Sequence, residues 1–482
     1  MFTSNVTFRG SDNATKRRTI SRRGALVIAS TLPLALVACT APGVSGPVTG
    51  TGCGDSTETE IAQPTAAQLE AAGFESYPLA PDSDRVDLTA AAFSQSTEVT
   101  NPLFPIAELE SAVLNGHVGG QAFRTETTLM NQTSIIQWLP GQCVTTLTSQ
   151  YAAYLDGRIE EVALDHYAQA DDGSVWYLGE EVYNYKDGVI AETAGTWLAG
   201  KDGPAAMIMP GEPEVGQAFR PENIPGMVFE EVIVTSVDAV VEGPSGEVHD
   251  VLIATEVHSD GSLSEKFFAP GYGEFSSTHE GDLEEMAIAV PTDSLPTPAP
   301  QTLTTMRDDA LAAFNAAGTD NWSEATAALE RVTAAWEAHK TAGGIPPRLV
   351  APTDTAVALL AEEITSTNRH QARDAAIELL QASLDLLLQF QAPAEIDLSR
   401  FQLWAHRAIA DSEAANLGGV VGDVTVLEWI RDRIAPTFSP LDLTRIDLLL
   451  EELRSTTSDG DLAAVAATAA ELLRTVEASR AA

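Results

Sequence analysis

The sequence predicts a multidomain α and β protein: an antiparallel β meander, curved sheet or open barrel, followed by an all-α region of about four helical hairpins. Three observations carry this. From about Val99 to Pro291 the apolar residues alternate in short runs separated by turn dipeptides. Beyond that stretch the apolar period changes from 2 to 3.6. Within the second half, turn residues recur at a nearly constant interval.

In the first half, Asp156-Gly157, Asp171-Asp172-Gly173, Asp187-Gly188 and Asp260-Gly261 each separate two alternating runs. These residues tolerate the positive φ that tight hairpins demand, so they predict a meander of about ten or more strands. The longest expected strands are 229–241 and 248–258, with 264–268 returning before Pro270-Gly271. Pro296, Pro298 and Pro300 then alternate, which favours an extended spacer. The expected division is a β domain over 99–293, a linker over 294–301 and a helical domain over 302–482. Few contacts are expected to cross that linker, so each side should fold alone.

In the second half, Asn321-Trp322-Ser323, Arg369-His370-Gln371, Asn416-Leu417-Gly418 and Asp461-Leu462-Ala463 align, their central residues 48, 47 and 45 positions apart. Each follows one helical stretch and opens another, which gives four hairpins and eight helices. Ile345-Pro346-Pro347, Ala392-Pro393-Ala394 and Ala435-Pro436-Thr437 join them. A compact bundle and a solenoid fit this pattern equally.

The N-terminal region reads as an address. Arg9, Lys16, Arg17, Arg18, Arg22 and Arg23 face Asp12 alone, and an apolar stretch from Gly24 to Ala38 follows. At about 1.5 Å per residue it is too short to cross a hydrocarbon core of about 30 Å. A signal peptide over 1–38 is expected. It ends in Leu36-Val37-Ala38-Cys39, which resembles the lipobox of bacterial lipoproteins and implies lipidation of Cys39. Ser21-Arg22-Arg23 with Leu26 resembles a twin-arginine export signal, although Ala25 and Val27 depart from its pattern. Residues 39–98 read as a flexible tether, with a short helix opened by the capping box Thr65-Ala66-Ala67-Gln68 and closed at Gly73. With Cys39 acylated, Cys53 and Cys143 remain as a pair, and a disulfide is expected between them in an oxidising compartment.

Charge narrows the partners. The chain has 27 Lys and Arg against 69 Asp and Glu, a net −42 over 482 residues. Such a surface repels phosphate backbones and anionic headgroups, so nucleic acid is not an expected partner. Attachment to the membrane is expected through the lipid instead.

Residues 165–169 (Asp-His-Tyr-Ala-Gln), 173–180 (Gly-Ser-Val-Trp-Tyr-Leu-Gly-Glu) and 267–273 (Phe-Phe-Ala-Pro-Gly-Tyr-Gly) form three short blocks that together are rich in aromatic residues and glycine. With Gly195-Thr196-Trp197, Ile208-Met209-Pro210, Val215-Gly216 and the opening Asn101-Pro102-Leu103-Phe104-Pro105, residues 100–290 resemble a family of secreted β-rich bacterial proteins of unassigned activity. The resemblance implies a fold and a location, and it carries over no catalytic residue.

Candidate chemistry is sparse, and no catalytic residue is assigned. His279-Glu280-Gly281-Asp282-Leu283 begins like a zinc-protease helix but has leucine at the second histidine position. There is no Gly-x-Ser-x-Gly elbow, phosphate loop or Cys-x-x-Cys pair. Tyr167, Trp176, Tyr177 and Trp197 are candidates for the floor of an aromatic cleft, against a bland reading as core. His339, His370 and His406 fall about one repeat apart and are candidates to converge on a metal. Arg400, Arg407, Asp411, Asp423, Glu428, Arg431 and Asp432 read as salt-bridged helix faces. The expectation is an extracytoplasmic, lipid-anchored binding or scaffolding protein, with an envelope protein or glycan as partner and no cofactor. Metal handling and a glycan-acting envelope hydrolase are the alternatives.

Overall fold

The structure is a computed structural model that describes Cys53 and residues 60–74, 79–258 and 261–481. Cys39, Arg22, Arg23 and the whole signal segment lie outside the described residues.

Among the described residues, fourteen strands form one open antiparallel sheet. Strands β1 (Ser111–Val118), β2 (Gln121–Leu139), β3 (Gln142–Leu155), β4 (Arg158–Gln169), β5 (Val175–Lys186) and β6 (Val189–Glu192) meander outward in chain order. The short β7 (Trp197–Leu198) and β8 (Ala206–Met209) pair back onto β5. Strands β9 (Ala218–Ile224), β10 (Val228–Gly243), β11 (Gly246–His258), β12 (Leu263–Ala269), β13 (Gly273–His279) and β14 (Asp282–Val290) return, until β14 pairs with β1 in the middle of the sheet. Local chemistry explains the turns. Asp156 and Gly157, Asp187 and Gly188, and Glu280 and Gly281 all have positive φ, as two-residue hairpins require. The zinc-helix-like segment at His279 is thus a hairpin turn between β13 and β14.

The region before β1 is not free chain where it is described. Helix α1 (Ala66–Ala71) has the expected capping box between Thr65 and Gln68. Phe74 packs on Phe229 with ring centroids 4.3 Å apart, and Phe93 on Trp138 at 4.9 Å. Arg85 bridges to Ala218 beside β9. Cys53 and Cys143 are joined by a disulfide that holds the chain to the start of β3.

After a turn that follows β14, eight helices pack in pairs: α2 (Gln301–Gly318) with α3 (Trp322–Ala342), α4 (Pro347–Ser366) with α5 (Arg369–Leu387), α6 (Pro393–Glu413) with α7 (Leu417–Ile434), and α8 (Pro440–Ser458) with α9 (Leu462–Ala481). Helix α2 also packs on α5, and α6 on α9, so each set of four closes on itself. The arrangement is two four-helix bundles in tandem rather than a solenoid.

The two regions do not keep apart, and here the expectation of few crossing contacts fails. One continuous core contains Val113, Tyr154, Val162, Tyr185 and Ile288 from the sheet together with Leu360, Leu384, Phe401, Trp404 and Leu427 from the helices. The proline segment is short enough to fold the bundles back against the sheet. Two hairpin tips dock on them. At the β5–β6 tip, a Cβ on Gly188 would strike the backbone of Gly422, so glycines on both sides permit the close approach. At the β3–β4 tip, a Cβ on Gly157 would lie 2.6 Å from the Glu378 carboxylate.

Candidate binding cleft between sheet and bundles

The β1–β3 hairpins and helices α4, α5 and α6 enclose a cleft of about 140 Å³. Pairing of β2 with β3 sets Arg124 opposite Tyr154. Tyr154 stacks on Trp404 of α6, centroids 5.7 Å apart and planes within 24°. Arg124 lies 5.7 Å from the centre of the Tyr154 ring, and Arg407 lies 5.1 Å from that of Trp404. Phe123, Leu403 and Pro352 complete the apolar lining, and Gln381 and Glu378 add polar groups. The cleft is an aromatic surface edged by two guanidinium groups.

Arg124 is held in place by buried acids, and Arg407 by a half-buried carbonyl and a partly exposed carboxylate. Arg124 bonds Asp385 at 2.7 Å and Glu126 at 2.7 Å, while Arg407 donates to the Gly157 carbonyl at 2.9 Å and pairs with Glu378 at 3.1 Å. Behind Arg124, Glu126 also receives Arg433 at 2.6 Å and Arg400 at 3.2 Å. Arg400 reaches Asp385 and Asp397, and Arg433 reaches Asp397. Three arginines thus neutralise three acids across the sheet–helix boundary. Burial pushes the Glu126 carboxyl up, but Arg400, Arg124 and Arg433 together hold it well below the usual range. Burial raises the Tyr154 phenol, which stays neutral.

The dense charged set of the second region therefore splits. Arg400, Arg407, Asp411 and Asp423 point inward at the strands: Arg158 of β4 bonds Asp411 at 2.6 Å and Asp423 at 3.1 Å. Glu428, Arg431 and Asp432 bond between or along helices, through Arg454 and Asp447. Sequence density revealed that charges cluster, but not which way they face.

The four aromatic candidates are not in this cleft. Tyr167, Trp176, Tyr177 and Trp197 are all buried in a separate core on the sheet. Tyr167 stacks on Tyr177 at 4.9 Å, Tyr177 meets Trp197 edge-on at 5.4 Å, and Trp176 meets Trp138 at 6.0 Å. Strand β5 is covered on both faces there, so neither neighbouring ring points to solvent. They form core rather than a ligand floor.

Nor do the three histidines converge. His339 is buried, its Nδ1 3.2 Å from the Thr302 hydroxyl. His406 packs edge-on against Phe314 at 5.3 Å. His370 instead joins Asp374 and Asp411, one of two groups among the described residues whose donor atoms lie within 4.8 Å of one another. The other is Glu230, Glu256 and His258 on β10 and β11, which sequence reading missed because Glu230 joins the Glu256–His258 pair only through strand pairing.

That second group is locked by its own cation. Lys266 of β12 places Nζ 2.7 Å from Glu256 and 4.0 Å from Glu230, so the group's acids already have a cation. Ser264 lies 2.8 Å from His258 Nε2, a spacing suited to a nucleophile and its base. Yet the Ser264 hydroxyl donates to Glu256 at 2.9 Å. Burial pushes the Glu256 carboxyl up, but Lys266 and His258 bring it down to about 2. The serine proton is therefore held by a charged carboxylate, and the histidine does not receive it.

No family model matches the chain, and no curated protein matches it.

Proposed function

We propose that the protein is an extracytoplasmic binding protein, held at the membrane by a lipid on Cys39, whose ligand seats in the cleft between sheet and bundles. The observation that carries this reading is the Tyr154–Trp404 stack, edged by Arg407 and by Arg124, which the buried ion network fixes from behind. A preformed apolar pocket with a few placed polar groups is the usual form of a binding site. At about 140 Å³ it matches the ~150 Å³ that accepts one six-membered aromatic ring. It would therefore take one ring or side chain of a larger envelope glycan or protein. The Cys53–Cys143 bridge supports export, because such bonds persist in oxidising compartments. No helix of the described residues is long and apolar enough to cross a membrane, so in this reading attachment rests on the lipid.

Two probes test the cleft, p-cresol for a protein side chain and methyl β-N-acetylglucosaminide for a glycan. Saturation-transfer NMR should show one of them binding the full chain. Ala122 is an exposed lining residue, and Ala122→Trp should abolish that signal without unfolding the protein. Absence of binding by both probes, or binding indifferent to Ala122→Trp, counts against the cleft. For the anchor, Cys39→Ser should leave the protein out of the detergent phase and without labelled fatty acid. Retention of the label would place the lipid elsewhere.

A further inference from the structure

The His370 group differs from its strand-borne counterpart in having no lysine at its centre. His370 and Asp374 stand one turn apart on one face of α5, the spacing that brings two side chains to one point. His370 Nε2 and Asp374 Oδ2 are 3.5 Å apart. That is long for a hydrogen bond. Two donors each about 2.0–2.1 Å from a tetrahedral ion stand roughly 3.3 Å apart, close to what is seen. Asp411 of α6 supplies a third donor within the same 4.8 Å. It is already oriented, since Arg158 donates to its Oδ2 at 2.6 Å and Asn416 to its Oδ1 at 3.2 Å. Each carboxylate oxygen keeps a further lone pair. Such fixing partners are what a ligating carboxylate needs.

A separate observation points to a missing cation. Asp374 Oδ1 is shielded from solvent and meets no hydrogen-bond partner, while the fully buried Asp423 shares Arg158 with Asp411 and is hydrogen-bonded to it. Three carboxylates meet here beside Arg158 and Arg407, and Arg407 is also engaged by Glu378. Buried carboxylate oxygens without partners are costly unless something positive reaches them.

We propose that His370, Asp374 and Asp411 form a three-ligand site for a divalent cation of the zinc class, joining α5 to α6. One imidazole nitrogen with two carboxylates suits zinc better than calcium, which prefers oxygen alone. His370 is partly exposed, so the fourth position opens to water.

The test uses the full chain, stripped with chelator and titrated with Zn²⁺ by calorimetry. One saturable site is expected, with a rise in melting temperature on loading. His370→Ala and Asp374→Asn should each weaken that site at least tenfold and remove the rise, while the metal-free variants melt close to the parent. Glu256→Gln, in the lysine-locked group, should change neither. Several weak sites untouched by His370→Ala would mean diffuse binding to an acidic surface and would overturn the proposal. Loss of the site in Glu256→Gln alone would overturn it too.

Discussion

At the scale of single residues, burial holds His166 and His406 uncharged well below neutral pH. His166 on β4 is buried, with Nδ1 3.2 Å from the Thr148 hydroxyl, and burial lowers its pKa from 6.5 to about 4. Burial, helped by Arg373, lowers that of His406 to about 4 as well. Both folded values lie below the unfolded one. As pH falls past about 6.5 the unfolded chain takes up protons that the native chain refuses until about 4. Stability is therefore lost between those limits, on the order of 3 kcal/mol per fully buried group, and this contribution is flat below them. Urea midpoints at pH 7.5 and 4.5 should fall further apart in the parent than in a His166→Gln, His406→Gln double variant. Equal differences would show that neither histidine carries the effect. The sequence displayed both histidines but not their surroundings, because burial is a property of the packed layers. The His370–Asp374 pair is different: its i,i+4 spacing was legible, but repeat spacing grouped His370 with His339 and His406 rather than with Asp374.

At the scale of elements, one device recurs at the tip of each helical hairpin. Asp320, Thr367, Ala415 and Gly460 all adopt positive φ. The next residue, Asn321, Asn368, Asn416 or Asp461, sends its N–H back to Ala316, Glu363, Asp411 or Thr456. Its side chain then caps the following helix. Such turns are set by neighbouring residues, which is why the four tips could be located from spacing alone and α3, α7 and α9 begin at Trp322, Leu417 and Leu462. Helix α5 begins at Arg369, one residue before the aligned position. The Asp-Gly turns of the sheet were legible for the same local reason. The closure of each four-helix set, and the covering of both faces of β5, depend on distant contacts and left no such mark. One position in the device is chemically awkward. Thr367 is β-branched at φ 54°, where the fourth tip has glycine. Thr367→Gly should stabilise the protein by about 1 kcal/mol, since the left-handed conformation costs a branched residue roughly that much. A lower melting temperature in this variant would show that the Thr367 side chain contributes more than its strain removes.

At the scale of the whole molecule, the bundles and the sheet are packed together. They share apolar core, and Arg124, Glu126, Asp385, Asp397, Arg400 and Arg433 form a buried network whose removal in part would strand a charge. Composition could not reveal this, because the residues that meet lie about 260 to 310 positions apart, as in Arg124 with Asp385 and Glu126 with Arg433. The proline segment looked like a boundary because local pattern reports the chain's path and not what folds back on it. The cleft exists only where these layers meet, so its use as a binding site requires that they stay together. Hydrogen exchange of the full chain along a guanidinium series measures this directly. Peptides spanning 150–163 in the sheet and 398–410 in the second bundle should lose protection at the same denaturant concentration, in one transition. If the helical peptides open at a lower concentration while the strands stay protected, the layers are separate units and the account of a shared core and cleft fails.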